Sequence, residues 1–428
     1  MTQASLADNA EETVSLRSPL ASLYPQLLYM ALHLQGKKPY LANNGKEQSK
    51  EAREAGQALM RLQRGLTGDR ELAGAAYFSK PEFLSAYLLY YWPVSFLQTS
   101  LAIEELRSRG VLPRLGSILD LGAGPGPAAA AAAHFGAERL LLLDKSQEAL
   151  GQAERLLRAM ASMEMAKRKK VPVYSTGIAD LENWKNLPEG PFDLIIACHS
   201  ANELWKQDDL ALEKRAGLFG QAAERLSEGG VLLVIEPSAL VTSRPALALR
   251  DRLLRDFAGG LYCAAPCPDS TPCPMLAAGE GRSCHSTWVW KPYEPVAALA
   301  AAAGLDRDSV KATWFALKKG SMIARAKNPL KAPALPGGAI GGGNLSGRVV
   351  SEPMLNKAGR LRYILCTTAG LATLSAKKES GSGETGGFFG LRRGDMIEAS
   401  QLEIREGESN FGLVKDSGLR TIFKAPDA

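Results

Sequence analysis

"GSILDLGAGPGPAAAAAAHFG", Gly116 to Gly136, fixes how the rest of the chain is read. An apolar run from Ile118 to Leu121 ends in three alternating glycines and passes into six alanines. The apolar run reads as a buried strand, and the alanines as a helix slim enough to lie close against a sheet. Glycines at a strand-to-helix turn let the backbone approach a ligand, and free N–H groups at a helix start favour negative charge. The spacing is G-x-G-x-G, at Gly122, Gly124 and Gly126, led by Asp120. It lacks the G-x-G-x-x-G spacing that holds a pyrophosphate. A carboxylate at Asp120 suits a positively charged amino group better than it suits a phosphate.

Working outward, "RLLLLDKS" is a second strand ending at Asp144, where a carboxylate can bond ribose hydroxyls. "VPVYSTGIADL" is a third, ending at Asp180, near where an adenine amino group would lie. "FDLIIACHSANEL" and "LSEGGVLLVIEPS" are the fourth and fifth, with helical stretches between them. Alternating elements of this length predict a doubly wound, mostly parallel α/β sheet. The glycine loop with its three carboxylates resembles the class I S-adenosylmethionine-dependent methyltransferases. The resemblance implies a Rossmann-like sheet and cofactor contacts at Asp120, Gly122, Gly124, Gly126, Asp144 and Asp180. A dinucleotide-binding fold and a cofactor-free relic of the fold are the competing readings. For single residues, Asp120 also reads as a cap for the loop, and Asp180 as the start of the next helix.

The flanks divide the remainder of the 428 residues. Residues 1–112 read as a helical region, with Pro93 as a break or kink. Residues 113–328 form the methyltransferase-like domain, with a cysteine-rich insertion at 259–291. A Pro- and Gly-rich linker, 329–346, leads to a small β-barrel-like domain at 347–428. Hydrophobic content of 46%, charged content of 22% and a net charge of +6 describe an ordinary soluble protein. The small positive excess fits a nucleic-acid partner without requiring one. "KRKK" (Lys167 to Lys170), Arg392 and Arg393 are candidate RNA contacts, equally readable as exposed charges. The first twenty residues show neither a signal peptide nor an acid-poor transit peptide. No window approaches the ~18 apolar residues of a membrane span. These features predict a cytoplasmic chain with no membrane partner, where clustered thiols bind metal more often than they form disulfides.

"CAAPCPDSTPCPMLAAGEGRSC", Cys263 to Cys284, holds four of the six cysteines. The spacings are C-x₃-C, C-x₅-C and C-x₁₀-C, and only the first is zinc-like. Iron–sulfur loops tolerate irregular spacing and favour "CP", which occurs at Cys267 and Cys273. At this point the chain resembles the methyltransferase-like assembly factors of the small ribosomal subunit, found in mitochondria and many bacteria. The likeness runs through "AYLLYYWPVSF", "LDLGAGPGPAAAAA", "ACHSANEL", "APCPDSTPCP", "SCHSTW", "GRVVSEP", "YILCTTAG" and "RRGDMI". It implies a [4Fe–4S] cluster on Cys267, Cys273, Cys284 and Cys366, with Cys263 a bystander; zinc and free structural thiols are the competing readings.

After the fourth strand, "CHSANELW" faces the place where a methyl group is transferred in this fold. The Asn/Asp-Pro-Pro-aromatic tetrad of base-amino methylases is missing. His199, Asn202 and Glu203 are the catalytic candidates, and Cys198 reads as strand-end packing. The expected function is a methyltransferase-like factor that binds small-subunit ribosomal RNA as a monomer. A non-catalytic assembly factor and a small-molecule methyltransferase, the latter needing a lid from the helical N-terminal region, are the alternatives.

Overall fold

The computed structural model describes residues 17–36, 45–72, 76–166, 171–292, 294–305, 308–320, 344–377, 385–405 and 409–427. Lys167 to Lys170, most of the linker and most of the loop "KKESGSGETGG" lie outside the described residues.

The N-terminal region is helical, as α1 (Arg17–Leu34), α2 (Gly45–Gln63), α3 (Pro81–Ala86) and α4 (Trp92–Ser108). Pro93 does not break α4. It lies inside a helix that continues from Tyr87–Tyr91 into α4, with Tyr91 and Trp92 both helical. The accommodation falls just before it, in a widened π-turn at Tyr87–Tyr91.

The sheet is built from β1 (Ile118–Leu121), β2 (Arg139–Asp144), β3 (Val173–Ile178), β4 (Phe192–Cys198), β5 (Leu226–Glu236), β6 (Leu261–Ala265), β7 (Ser286–Val289) and β8 (Ser309–Lys319). Between them lie α5 (Pro127–His134), α6 (Gln147–Ala166), α7 (Ala211–Glu224), α8 (Leu240–Asp256), the single turn α9 (Pro274–Ala277) and α10 (Glu294–Ala302). The strand order is β3-β2-β1-β4-β5-β8-β6. The first five run parallel, and β8 runs antiparallel to both β5 and β6. This is the Rossmann-like sheet of class I methyltransferases.

Side-chain alternation builds a core on each face. Ile118, Leu194, Ile196, Val231 and Leu233 join a core with α4, α5 and α6, whereas Leu119, Ile195, Leu232 and Val234 join one with α7 and α8. The cysteine-rich stretch begins differently from a loop insertion. "LYCAA" is buried throughout and enters the sheet as edge strand β6, which sets Cys263 within the ladder.

The C-terminal β unit comprises β9 (Leu345–Val349), β10 (Met354–Leu355), β11 (Arg360–Thr367), β12 (Gly370–Lys377), β13 (Met396–Ser400), β14 (Glu403–Ile404), β15 (Asn410–Gly412) and β16 (Gly418–Phe423). Its pairing follows one open path, β14-β15-β12-β11-β9-β13-β16, and no pair joins the two ends among the described residues. Tyr363, Leu365, Leu374, Phe388 and Phe411 fill its core. A buried ion cluster docks it to the sheet domain. Arg348 of β9 donates from Nη2 to Glu105 Oε2 of α4 at 3.0 Å, and Arg109 Nη1 reaches Glu105 Oε1 at 3.2 Å. Among the described residues, no helix is long and apolar enough to cross a membrane.

Candidate functional site

A cavity of about 830 Å³ opens beyond the carboxyl ends of the parallel strands, at the β1/β4 switch point where doubly wound sheets take ligands. Loops after five strands line it: Gly122 and Gly124, Asp144 to Ser146, Asp180, Cys198 to Ser200, and Pro237 to Ala239. The N-terminal region covers it with Tyr77, Phe78, Tyr87, Tyr91 and Gln98.

The glycine loop stays tied to β2, because Gly122 N and Ala123 N donate to Leu143 O at 2.8 and 2.9 Å. Gly122 has φ 71°, and a Cβ there would stand 2.4 Å from Ser200 Cβ, so only glycine fits. Trp92 Nε1 supports the loop from α4 by donating to Pro125 O at 3.0 Å. Asp144 accepts from Gly124 N at 2.7 Å and from Ser146 N at 2.8 Å. Burial raises its pKa, and those two N–H groups oppose the rise. Asp180 is exposed, two residues beyond β3, and accepts from Glu182 N at 3.1 Å and Asn183 Nδ2 at 2.7 Å.

Asp120 and Gly126 do not line the cavity. Asp120 is buried beneath α5, where Oδ2 caps the helix by accepting from Ala129 N at 3.1 Å. Burial pushes its carboxyl up to about 7. Gly126 is where the loop touches α6, since a Cβ there would lie 2.9 Å from Ala153 Cβ.

The segment after β4 divides into two groups. His199 lines the cavity with its Nε2 2.7 Å from Gln98 Oε1. Gln98 Nε2 donates to Lys311 O at 2.8 Å, so its Oε1 accepts and the proton of a neutral His199 sits on Nε2. Glu203 also lines the cavity and accepts from Tyr77 OH at 3.4 Å. Asn202 lines the cavity too, but the fold holds its amide. Its N–H donates to Glu236 Oε1 at 3.1 Å and its side-chain amide to His199 O at 3.1 Å and to Glu236. Glu236 is buried and pushed up to about 8 by that burial, against the Asn202 hydrogen bonds. Cys198 is packing, with a thiol pushed far above its ordinary range by burial. Glu236, Gln98 and Trp92 are the residues that sequence reading missed. Gln98 and Tyr91 stand seven apart on one helix face, a spacing visible in "YWPVSFLQ".

Cys267, Cys273, Cys284 and Cys366 line a second, small cavity together with Arg250, Arg348 and His285. Cys366 reaches it from β11, beside its ladder partner Arg348 on β9. Cys263 does not line it; its Sγ donates to Ala265 O at 3.4 Å within β6. Cys267 is held low by its interaction with the neighbouring Cys263 thiol and then by the Arg250, Arg348 and Arg109 guanidiniums. Cys284 is pushed up to about 12 by burial. Arg250 shapes the loop by donating to Thr271 O at 2.9 Å and Asp269 O at 2.8 Å. Among the described residues, no three of His, Cys, Asp and Glu are arranged to share one metal ion. Arg392 and Arg393 are paired inside the β unit, with Asp427 and with Glu352 at 3.1 Å.

The family model described as "Mitochondrial small ribosomal subunit Rsm22" matches residues 82–371, from α3 to the start of β12. The chain belongs to the Rsm22 family. No curated protein matches it. Solved structures similar to this Rsm22-family chain include the CcbJ methyltransferase from Streptomyces caelestis, at 21% identity and TM-score 0.23, over 32% of this chain and 50% of that one. Another is an S-adenosylmethionine-dependent methyltransferase from Clostridium acetobutylicum, at 15% identity and TM-score 0.27, over 52% and 91%. A third is the magnesium protoporphyrin IX methyltransferase from Synechocystis with bound SAM, at 13% identity and TM-score 0.30, over 66% and 100%. At those scores the likeness adds no weight of its own, and the fold rests on strand order and loop position.

Proposed function

We propose that this Rsm22-family chain binds S-adenosylmethionine in the large cavity and acts on small-subunit ribosomal RNA as a methyltransferase-like maturation factor. The observation that carries the reading is the cavity itself, lined by the glycine loop, Asp144 and Asp180 at the switch point of the sheet. Gly122 and Gly124 would admit the methionine part, Asp144 the ribose and Asp180 the adenine. Bound there, S-adenosylmethionine supplies an electrophilic methyl group. Glu203, which lines the cavity on the loop after β4, is the candidate to take a proton from a substrate N–H or O–H, while His199 has Nε2 bonded to Gln98 and Nδ1 buried. The chain acts as a monomer on the ribosomal particle, in the cytoplasm.

The test is labelled methyl transfer from S-adenosylmethionine to immature small subunits, run beside direct measurement of cofactor binding. Label in the RNA, lost with Asp180→Ala, supports methyl transfer. Full cofactor binding without label favours the second reading, a non-catalytic assembly factor. Asn202 motivates that reading, because its amide is committed to Glu236. Label on a small metabolite only favours the third, for which Tyr77, Phe78, Tyr87 and Tyr91 form the cover.

The cysteine cavity belongs to the same proposal. Four thiols beside two buried guanidiniums suit an anionic thiolate–metal group. A single zinc ion needs its donors within one tetrahedron, whereas a [4Fe–4S] cluster spreads its thiolates over separate irons. The cavity the four thiols share with Arg250, Arg348 and His285 is small, about 30 Å³. When bound, the cluster supplies covalent iron–sulfur links between the insertion and β11. Protein purified without oxygen is expected to be brown and to contain iron. Cys263→Ser should keep the iron and Cys366→Ser should lose it; a colourless protein with stoichiometric zinc contradicts the cluster.

A further inference from the structure

Away from both cavities, α1 and α6 enclose an open groove of about 400 Å³. Its α1 wall presents Gln26, Tyr29 and His33, and its α6 wall presents Arg155, Arg158 and Ser162. Helical spacing sets both walls, since Tyr29 and His33 are i, i+4 while Arg155, Arg158 and Ser162 are i, i+3, i+7. The Tyr29 and His33 rings are stacked, with centroids 6.2 Å apart and planes within 10° of parallel, and both residues are exposed. Tyr29 keeps 49% of its surface, an unusual placement for a ring this large.

Charge on the other wall has one sign. Arg155 and Arg158 are exposed, and both line this groove. The neighbouring acid, Glu154, turns the other way and accepts from Thr176 Oγ1 of β3 at 2.6 Å. In sequence, the four basic residues Lys167 to Lys170 follow α6, outside the described residues.

We infer that the α1/α6 groove is a binding surface for single-stranded RNA. Two guanidiniums one helical turn apart match successive phosphates, and flat exposed rings on the facing wall match unstacked bases. A cationic track beside aromatic platforms is the combination that holds single strands without reading sequence. Duplex RNA lacks free base faces and fits this wall less well. An acidic peptide would use the arginines and leave the rings idle. The inference rests on the proposed RNA role of the chain and assigns that role to a face that neither the cofactor cavity nor the cysteine cavity touches.

Fluorescence anisotropy with a labelled oligouridine tests it, over a range of salt concentrations, on the full chain. Arg155→Glu with Arg158→Glu should weaken binding at least tenfold. The slope of log K against log salt should flatten by about 1.4, at about 0.7 per lost phosphate contact. Tyr29→Ala should weaken binding by about fivefold or more with the slope unchanged. All three side chains are exposed, so circular dichroism and the melting temperature should match wild type. Wild-type binding with unchanged affinity and slope in the arginine variant overturns the groove and leaves the RNA role standing. A loss in the arginine variant with none in Tyr29→Ala overturns the single-strand assignment in favour of a general anion surface. No oligouridine binding by the wild-type chain overturns both readings.

Discussion

Asp120 keeps its carboxyl protonated to about 7, whereas an exposed aspartate titrates at 3.8. The unfolded chain therefore releases this proton earlier, and the folded state binds more protons between those values. Its contribution to stability is full below pH 3.8 and is lost as pH rises to about 7, at about 1.4 kcal/mol per pH unit. Asp120→Asn keeps an oxygen for Ala129 N and removes the titration. Urea unfolding should show that decline in the wild type and a flatter profile in the variant; parallel profiles contradict the assignment. The pattern located Asp120 in sequence but not its direction. Strand alternation puts it on the face of Ile118, under α5, while the cavity opens at the strand ends. Asp144 and Asp180 end or follow their strands, so position alone brought them to the cavity.

Elements were legible where periodicity is strong. The five parallel strands and their helices appear where apolar runs and glycine turns predict them. The π-turn at Tyr87–Tyr91 was not legible, because a widened turn uses the same residues as an ordinary one. Strand β6 was hidden by its five-residue length and by the cysteine beside it. Contact between helices is equally silent in sequence. At Gly56, α2 crosses α10 so closely that a Cβ would lie 2.9 Å from the Ala302 backbone carbon. Alanine gains about 1 kcal/mol of helix propensity over glycine. Pushing two backbones apart costs about 1–3 kcal/mol. Gly56→Ala is thus expected to lower the melting temperature despite its better propensity, and a higher melting temperature contradicts the crossing.

At the scale of the whole molecule, the decisive contacts join residues far apart in the chain. Glu105 and Arg348 are 243 positions apart, and nothing in either local sequence marks them as partners. Their side chains are 0% and 5% exposed, so removing one leaves a buried charge unanswered. Glu105→Gln should destabilise the protein by about 3–5 kcal/mol. It should also make Cys366 react faster with a thiol reagent, as the β unit lifts from α4. Loss of stability without faster labelling would separate the ion cluster from docking.

Cys366 gives the cysteine cavity a direction in time. Synthesis runs from the N-terminus, and domains fold as they emerge. The sheet domain, with Cys267, Cys273 and Cys284, is complete before β11 leaves the ribosome. Until then the cavity lacks one wall, one thiol and the Arg348 guanidinium. A chain cut short in the linker carries the full glycine loop and cofactor cavity but cannot close the four-thiol site. The four-thiol cavity is therefore assembled only in a chain that extends through β11, whereas the large cavity is lined wholly by residues that precede the linker.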